Sequence, residues 1–358
     1  MPPEILLASL LKETSTLTNK ETWQLAGRRL ILKKMQEPIW ETPTGNFTIP
    51  ADTAIMPATL SYTKMNTLLA CPMKWVLHYH SGLRVPDALS LPTDNQMIGN
   101  LCHRIVENLY SGGNKQWTPE DAEAQALKLY DSLTPAMASE LLLEGRELDN
   151  SRYRRSVAKA VKQLAGAVEQ LGLTVEQSEG KLQGDFVGIP FIGYADLLLH
   201  DKNGNPFVLD LKWSGSSSYR KKEIEEGSAL QLASYAWMLR TTAPEAQIHS
   251  AYFMLAQGEL LSDSPLLGNE ALAADHSLQE IWNMGSKSWN KQFEYLSKGH
   301  IKAAGVIEQC IQTQDGLSDD KLKKFMKEDC TNNGLLYQQP SCRFCDFGVL
   351  CGLKGGRV

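Results

Sequence analysis

The sequence predicts an α/β protein in which a sheet is set into the middle of a helical chain. Three observations lead there. Apolar residues recur at helical spacing on both sides of residues 173–212. Between them lie three short runs rich in β-formers, LTVEQSEGKLQGDFVG, IPFIGYADLLLH and FVLDLKW, separated by turn residues. Lys202-Asn203-Gly204-Asn205, between the second and third runs, is a strong hairpin signal.

The elements follow in order. Residues 1–60 read as an appendage, with Ile5, Leu6, Leu10 and Leu11 at helical spacing and then a loop rich in Pro and Thr. The main domain covers 61–358. It opens with SYTKMNTLLACPMKWVLHYHSGL, which predicts two short helices broken at Pro72. NQMIGNLCHRIVENLY predicts an amphipathic helix with Ile98, Leu101, Ile105, Val106 and Leu109 on its apolar face. Thr118-Pro119-Glu120-Asp121 supplies an N-cap, a first-turn proline and two first-turn acids, so a further helix starts there. The longer helix SRYRRSVAKAVKQLAGAVEQLGL has basic first turns, and a solvated face explains them as well as a binding patch does. After the sheet come a helix over IEEGSALQLASYAWMLR, a strand at QIHSAYFMLAQ, and helices with loops to about Cys330.

Composition narrows the function. With 358 residues the chain can bury a real core as one large domain or two ordinary ones. At 42% hydrophobic and 22% charged it is neither disordered nor a coiled coil. The net charge of −5 means that any contact with nucleic acid must come from a local basic patch. The start carries no Lys or Arg before a short apolar run, unlike a signal peptide, and no run reaches the roughly 18 apolar residues of a membrane span. The expectation is a cytoplasmic protein with no membrane contact and reduced thiols, in which clustered cysteines bind metal. The segment GSKS at 285–288 lacks the glycine spacing of a phosphate-binding loop, so the chain is no ATPase by itself.

The chemistry concentrates in the hairpin. Asp196 and Asp210 each stand among apolar neighbours in a predicted strand, where a carboxylate is costly unless compensated. The two-residue period puts Asp210 and Lys212 on one face, and the turn brings Asp196 close to Asp210. Two acids and a lysine at one end of a sheet suit Mg²⁺ or Mn²⁺ and a water aimed at a phosphodiester. A structural ion pair between Asp210 and Lys212 explains the same pattern. On the helix before the sheet, Gly99, His103 and Glu107 share one face; on the helix after it, Gln231 and Tyr235 do.

Gly-x3-His-x3-Glu on a helix, Gly-x2-Asp on a strand, Asp-x-Lys on the next strand and Gln-x3-Tyr on the next helix resemble, in that order, the PD-(D/E)XK nuclease superfamily, in its RecB-type branch. The resemblance implies a restriction-endonuclease-like core, a mixed central sheet flanked by helices, with helical insertions. It implies His103, Asp196, Asp210 and the Leu211 carbonyl as ligands of Mg²⁺ or Mn²⁺, Lys212 as the catalytic lysine, and Gln231 with Tyr235 on the substrate side.

Cys342, Cys345 and Cys351 form a Cys-x2-Cys-x5-Cys array, and its spacing suits a zinc site or an iron-sulfur cluster. Cys71, Cys102, Cys310 and Cys330 are the candidates for a fourth ligand. Taken with Cys71-Pro72 near the start of the domain, the triplet resembles the AddB-type nuclease domain and the iron-sulfur exonucleases associated with CRISPR. That resemblance implies a four-iron four-sulfur cluster on Cys71, Cys342, Cys345 and Cys351, stapling the two ends of the domain, with Cys102, Cys310 and Cys330 as bystanders.

The expected activity is therefore a metal-dependent DNA nuclease, an exonuclease before an endonuclease, acting on single-stranded or ended DNA in repair or defence. Arg152, Arg154, Arg155, Arg220, Lys221 and Lys222 are the candidates for backbone contact. AddB's helicase-like region has no counterpart here, so a helicase or other partner is expected on another chain. The appendage or the segment around Trp282 and Trp289 would dock it. The competing expectation is a catalytically silent DNA-end-binding or assembly subunit that uses the fold as a scaffold.

Overall fold

In the computed structural model of the chain, the residues described are 22–25, 28–31, 45–50, 55–84, 94–113 and 116–353. The chain divides into two units, Met1–Thr42 and Pro43–Val358. In the first, β1 (Thr22–Leu25) pairs antiparallel with β2 (Arg28–Ile31), a hairpin that the helical reading of this region missed. The helix expected through Ile5 and Leu11 lies outside the described residues. The second unit starts earlier than Ser61, because β3 (Asn46–Thr48) pairs antiparallel with β9 (His300–Lys302).

The sheet predicted for 173–212 is the centre of this second unit. β4 (Thr174–Phe186), β5 (Ile189–His200) and β6 (Pro206–Lys212) form an antiparallel meander. β7 (His249–Met254) then joins parallel to β6, and β8 (Glu259–Leu261) closes the order β4-β5-β6-β7-β8. Parallel pairing of β6 and β7 requires a crossover, which α6 (Ser218–Glu225) and α7 (Leu230–Thr242) supply. Asp201 makes the β5-β6 turn, its carboxylate accepting the Asn203 and Asn205 amides at 2.8 Å.

Helices cover both faces. On one side, α3 (Asp94–Leu109), α4 (Pro119–Met137) and α5 (Glu147–Gln170) pack on Phe207, Leu209 and Leu211, the odd positions of β6. On the other, α1 (Tyr62–Ala70), α2 (Pro72–Trp75), α7 and α8 (Leu278–Ser297) pack on Phe186, Phe191 and Val208. α9 (Ala304–Asp315) and α10 (Asp319–Asn332) follow. Several boundaries are where the sequence puts them. Pro72 is the first residue of α2, and the Thr118 hydroxyl accepts the Asp121 amide at the start of α4.

Trp282 and Trp289 are buried, which removes them as a docking surface. Trp282 stacks on Trp237 at 4.3 Å and meets Phe186 and Phe191 edge-on, while Trp289 stacks on Phe293. Aromatic pairs of this kind contribute about 0.5–1.5 kcal/mol each beyond their burial, so these tryptophans hold α7 and α8 to the sheet. Among the described residues no helix is long and apolar enough to cross a membrane.

Candidate active site

The site forms where the meander's register brings acids into a row. Glu179 sits between the pairs Ser178–Leu197 and Gly180–Ala195, which places it opposite Asp196. One step beyond the pair Leu197–Leu209, Asp196 comes beside Asp210. There the Asp196 side chain continues the ladder: its Oδ2 accepts the Leu211 amide at 2.6 Å. Its Oδ1 lies 3.2 Å from His103 Nδ1, contributed by α3 across the sheet edge. Gly99, one turn before His103, permits this approach. A Cβ there would stand 3.2 Å from Trp213 Cβ, tighter than ordinary packing.

Asp210 is buried in the middle of β6. Its Oδ1 accepts Gln231 Nε2 at 2.6 Å and lies 3.1 Å from the Tyr235 hydroxyl, which is also 3.0 Å from the Tyr194 carbonyl. Gln231 and Tyr235, for which the resemblance implied substrate-side roles, thus both hydrogen-bond Asp210. The single tyrosine proton serves one of its two acceptors at a time. Asp210 Oδ2 forms an ion pair with Lys212 Nζ at 2.5 Å.

Electrostatics follow from this burial. Desolvation pushes the Asp210 carboxyl above its ordinary pKa, and the Lys212 ammonium opposes the shift. For His103, burial alone would lower the pKa, but the Asp196 carboxylate outweighs it and raises the imidazole above its ordinary value. His103, Leu211 and Lys212 line an open cleft of about 490 Å³ with Gly99 and Trp213. A larger cavity of about 880 Å³ between α6 and α10 is lined by Lys222, Lys324 and Lys327, each paired with a glutamate, and by no member of the acidic row.

Among the described residues, no three His, Cys, Asp or Glu side chains stand close enough to share an ion. By chemical type the donors nevertheless suit a hard divalent cation: the Asp196 and Asp210 carboxylates and the His103 imidazole. Glu179 escaped the sequence reading because it is an exposed acid in LTVEQSEGKLQG, like its neighbour Glu176. Its φ of +51° is the signal, and only the backbone carries it. Burial and the nearby Asp196 and Glu107 carboxylates raise its pKa.

The basic candidates divide. Arg154 is held by Asp131 through two hydrogen bonds of 2.7 and 2.6 Å, and Lys222 pairs with Glu226 at 3.3 Å. Arg220 is turned inward onto Glu223, because α6 lays it over Tyr252 of the interior strand β7. Arg152 and Arg155 on α5 and Lys221 on α6 are exposed and have no acidic partner among the described residues.

The four cysteines of the expected cluster lie in one region of the fold. Cys71 lies within electrostatic reach of Cys345 and Cys351, and Cys342 within reach of Cys71, Cys345 and Cys351. The Cys71 thiol donates to the Lys302 carbonyl at 4.0 Å, at the end of β9. A Cβ on Gly305 would overlap Cys342 Sγ. Burial pushes the Cys342 thiol up to about 11 and raises Cys71 too. A metal partner would offset that cost by holding thiolates. Among the described residues no three of these thiols stand close enough to share an ion. Cys102, on the buried face of α3, is fully buried and pushed up to about 12 by desolvation alone, as a core thiol should be.

The sequence model of the PD-(D/E)XK nuclease superfamily matches residues 59–352. No curated protein sequence matches the chain. Among solved structures, a protein from Eubacterium rectale provisionally named an exonuclease is similar at a TM-score of 0.41 and 12% identity, over 84% of this chain and 94% of that one. The protein SSO0001 is similar at a TM-score of 0.23 and 13% identity, over 70% and 94%.

Proposed function

The chain belongs to the PD-(D/E)XK nuclease superfamily, and we propose that it is a divalent-metal-dependent deoxyribonuclease acting on single-stranded or ended DNA, an exonuclease before an endonuclease. One observation carries this reading. Asp196 and Asp210 meet on neighbouring strands, and Lys212 Nζ lies 2.5 Å from Asp210 Oδ2, so two carboxylates and the lysine converge on one site.

His103, Asp196, Asp210 and the Leu211 carbonyl would hold Mg²⁺ or Mn²⁺. The bound ion would supply Lewis-acid polarisation of the phosphodiester and charge for the leaving oxygen. The protein's own groups do the rest. Gln231 and Tyr235 fix the Asp210 carboxylate from behind. Lys212 orients the attacking water and offsets charge developing on the phosphate. Arg152, Arg155 and Lys221 are the cations left to contact a strand backbone. Cys71, Cys342, Cys345 and Cys351 would hold a four-iron four-sulfur cluster, and closing a loop of that length removes chain entropy from the unfolded state. A helicase or other subunit that feeds the strand belongs to the same reading.

The test is a gel assay on 5′- and 3′-labelled single and double strands, using anaerobically purified protein with Mg²⁺ or Mn²⁺. Cutting should occur, and Asp210→Ala or Lys212→Ala should reduce it by about 10²-fold or more. Wild-type protein that cuts nothing, or variants that cut equally well, would overturn the reading and leave a silent end-binding subunit. The protein should be brown with acid-labile sulfide; a colourless zinc protein would remove the cluster.

A further inference from the structure

Arg220 is the basic candidate that the fold takes away from solvent, and what it touches gives it another role. Its Nη1 lies 2.5 Å from Glu223 Oε2, one turn along α6, and the Glu223 side chain is only 7% exposed. Its guanidinium stands 4.9 Å from the centroid of the Tyr252 ring. Lys212 Nζ stands 5.9 Å from the same centroid. Tyr252 is fully buried and is the β7 residue directly paired with Asp210.

Two cations thus share one aromatic ring, and each has its own acid: Lys212 has Asp210, and Arg220 has Glu223. The two pairs are not independent. Glu223 lies in the field of Lys212 as well as Arg220, and Asp210 in the field of Arg220 as well as Lys212. Asp210, Lys212 and Tyr252 are fixed by the sheet. Arg220 and Glu223 come from α6, joined to β6 by residues 213–217. Tyr62, the first residue of α1, adjoins this pair from the other side.

We infer that Arg220 is a positioning residue for Lys212: by satisfying the buried Glu223 carboxylate, it prevents that carboxylate from drawing the Lys212 ammonium off Asp210. Without the guanidinium, Glu223 is a buried anion whose remaining cation of appreciable field is Lys212. The four-carbon stem of lysine can swing, whereas the strand cannot. The ammonium is then shared between two carboxylates and leaves the place where it meets the phosphodiester.

This rests on the nuclease reading for its kinetic test but not for its structural one. Arg220→Gln should lower kcat by about 10²-fold with KM for DNA little changed, as expected of a misplaced group. Arg220→Lys should restore most of the rate. The decisive variant is Arg220→Gln with Glu223→Gln, which removes the competing carboxylate together with its partner and should recover kcat toward wild type. If the double variant is no faster than Arg220→Gln, the competition mechanism is overturned. If Arg220→Gln instead raises KM and weakens its salt dependence, Arg220 is a phosphate contact and the inference is wrong. A crystal structure of Arg220→Gln is read independently of activity, with Lys212 Nζ expected to turn toward Glu223. Should wild type cut no DNA while Lys212 has moved, the nuclease reading fails and this inference stands. Lys212 remaining on Asp210 would overturn it.

Discussion

Gln231 donates through Nε2 to Asp210 Oδ1 at 2.6 Å, and its amide also reaches the Tyr235 hydroxyl at 3.1 Å. A residue expected to face the substrate is therefore a buttress for a buried carboxylate. Gln231→Leu should cost about 1–3 kcal/mol of folding stability at neutral pH, because Asp210 keeps its burial and loses its shortest hydrogen bond. Urea denaturation measures this, and a midpoint equal to wild type would show that the bond contributes nothing.

Glu179 occupies left-handed backbone at φ +51° opposite Asp196. A side chain bearing Cβ costs about 1–2 kcal/mol there, and glycine avoids that cost at the expense of unfolded-chain entropy. Glu179→Gly should accordingly be more stable than Glu179→Ala by about 1 kcal/mol, with loss of the acid common to both. Equal stabilities would mean that the backbone relaxes without penalty.

At Gly305 an added methyl would overlap Cys342 Sγ. Gly305→Ala should push that thiol away from Cys71 and weaken metal retention by about 10–100-fold, the range typical of groups that orient ligands. Iron and sulfide content per chain, measured after anaerobic purification, reads this out. Wild-type content in a well-folded variant would contradict the placement.

His103 predicts a pH dependence whose sign is fixed. Its pKa is raised in the fold despite burial because Asp196 stabilises the imidazolium. In metal-free protein the pair's contribution is complete below the ordinary histidine pKa and is lost as pH rises through the raised value. His103→Asn should destabilise the metal-free protein more in mild acid than in mild alkali. Because an imidazole that ligates a metal must be neutral, cation binding should release a proton and weaken on acidification. Thermal melts and titration calorimetry across pH test both statements, and a destabilisation larger in alkali would reverse the assignment.

Much of this was legible in the residues. The change from helical to alternating period located the sheet, Asn203-Gly204 located the turn, and Asp-x-Lys on one strand required a shared face. The hairpin at Thr22–Ile31 and the short strands β3, β8 and β9 were not legible. Three or four residues carry too little periodicity, and β3 and β9 exist only because each supplies the other's hydrogen bonds. The basic residues were the least legible. Arg154 and Arg220 resemble Arg152 and Lys221 in sequence, and only packing decides which cations have an acid beside them.

By itself the sequence determined the periods, the turn, and the types of side chain present at the edge of the sheet. Local covalent geometry and side-chain spacing dictate those. Only the tertiary structure decided which groups oppose one another. Strand register set Glu179 against Asp196, the crossover through α6 and α7 returned Gln231 to Asp210 and Arg220 to Tyr252, and chain closure brought Cys71 to Cys342. Burial then turned proximity into chemistry: in a low-dielectric interior an unpaired charge is costly, so each partner chosen by the fold fixes what its neighbour can do.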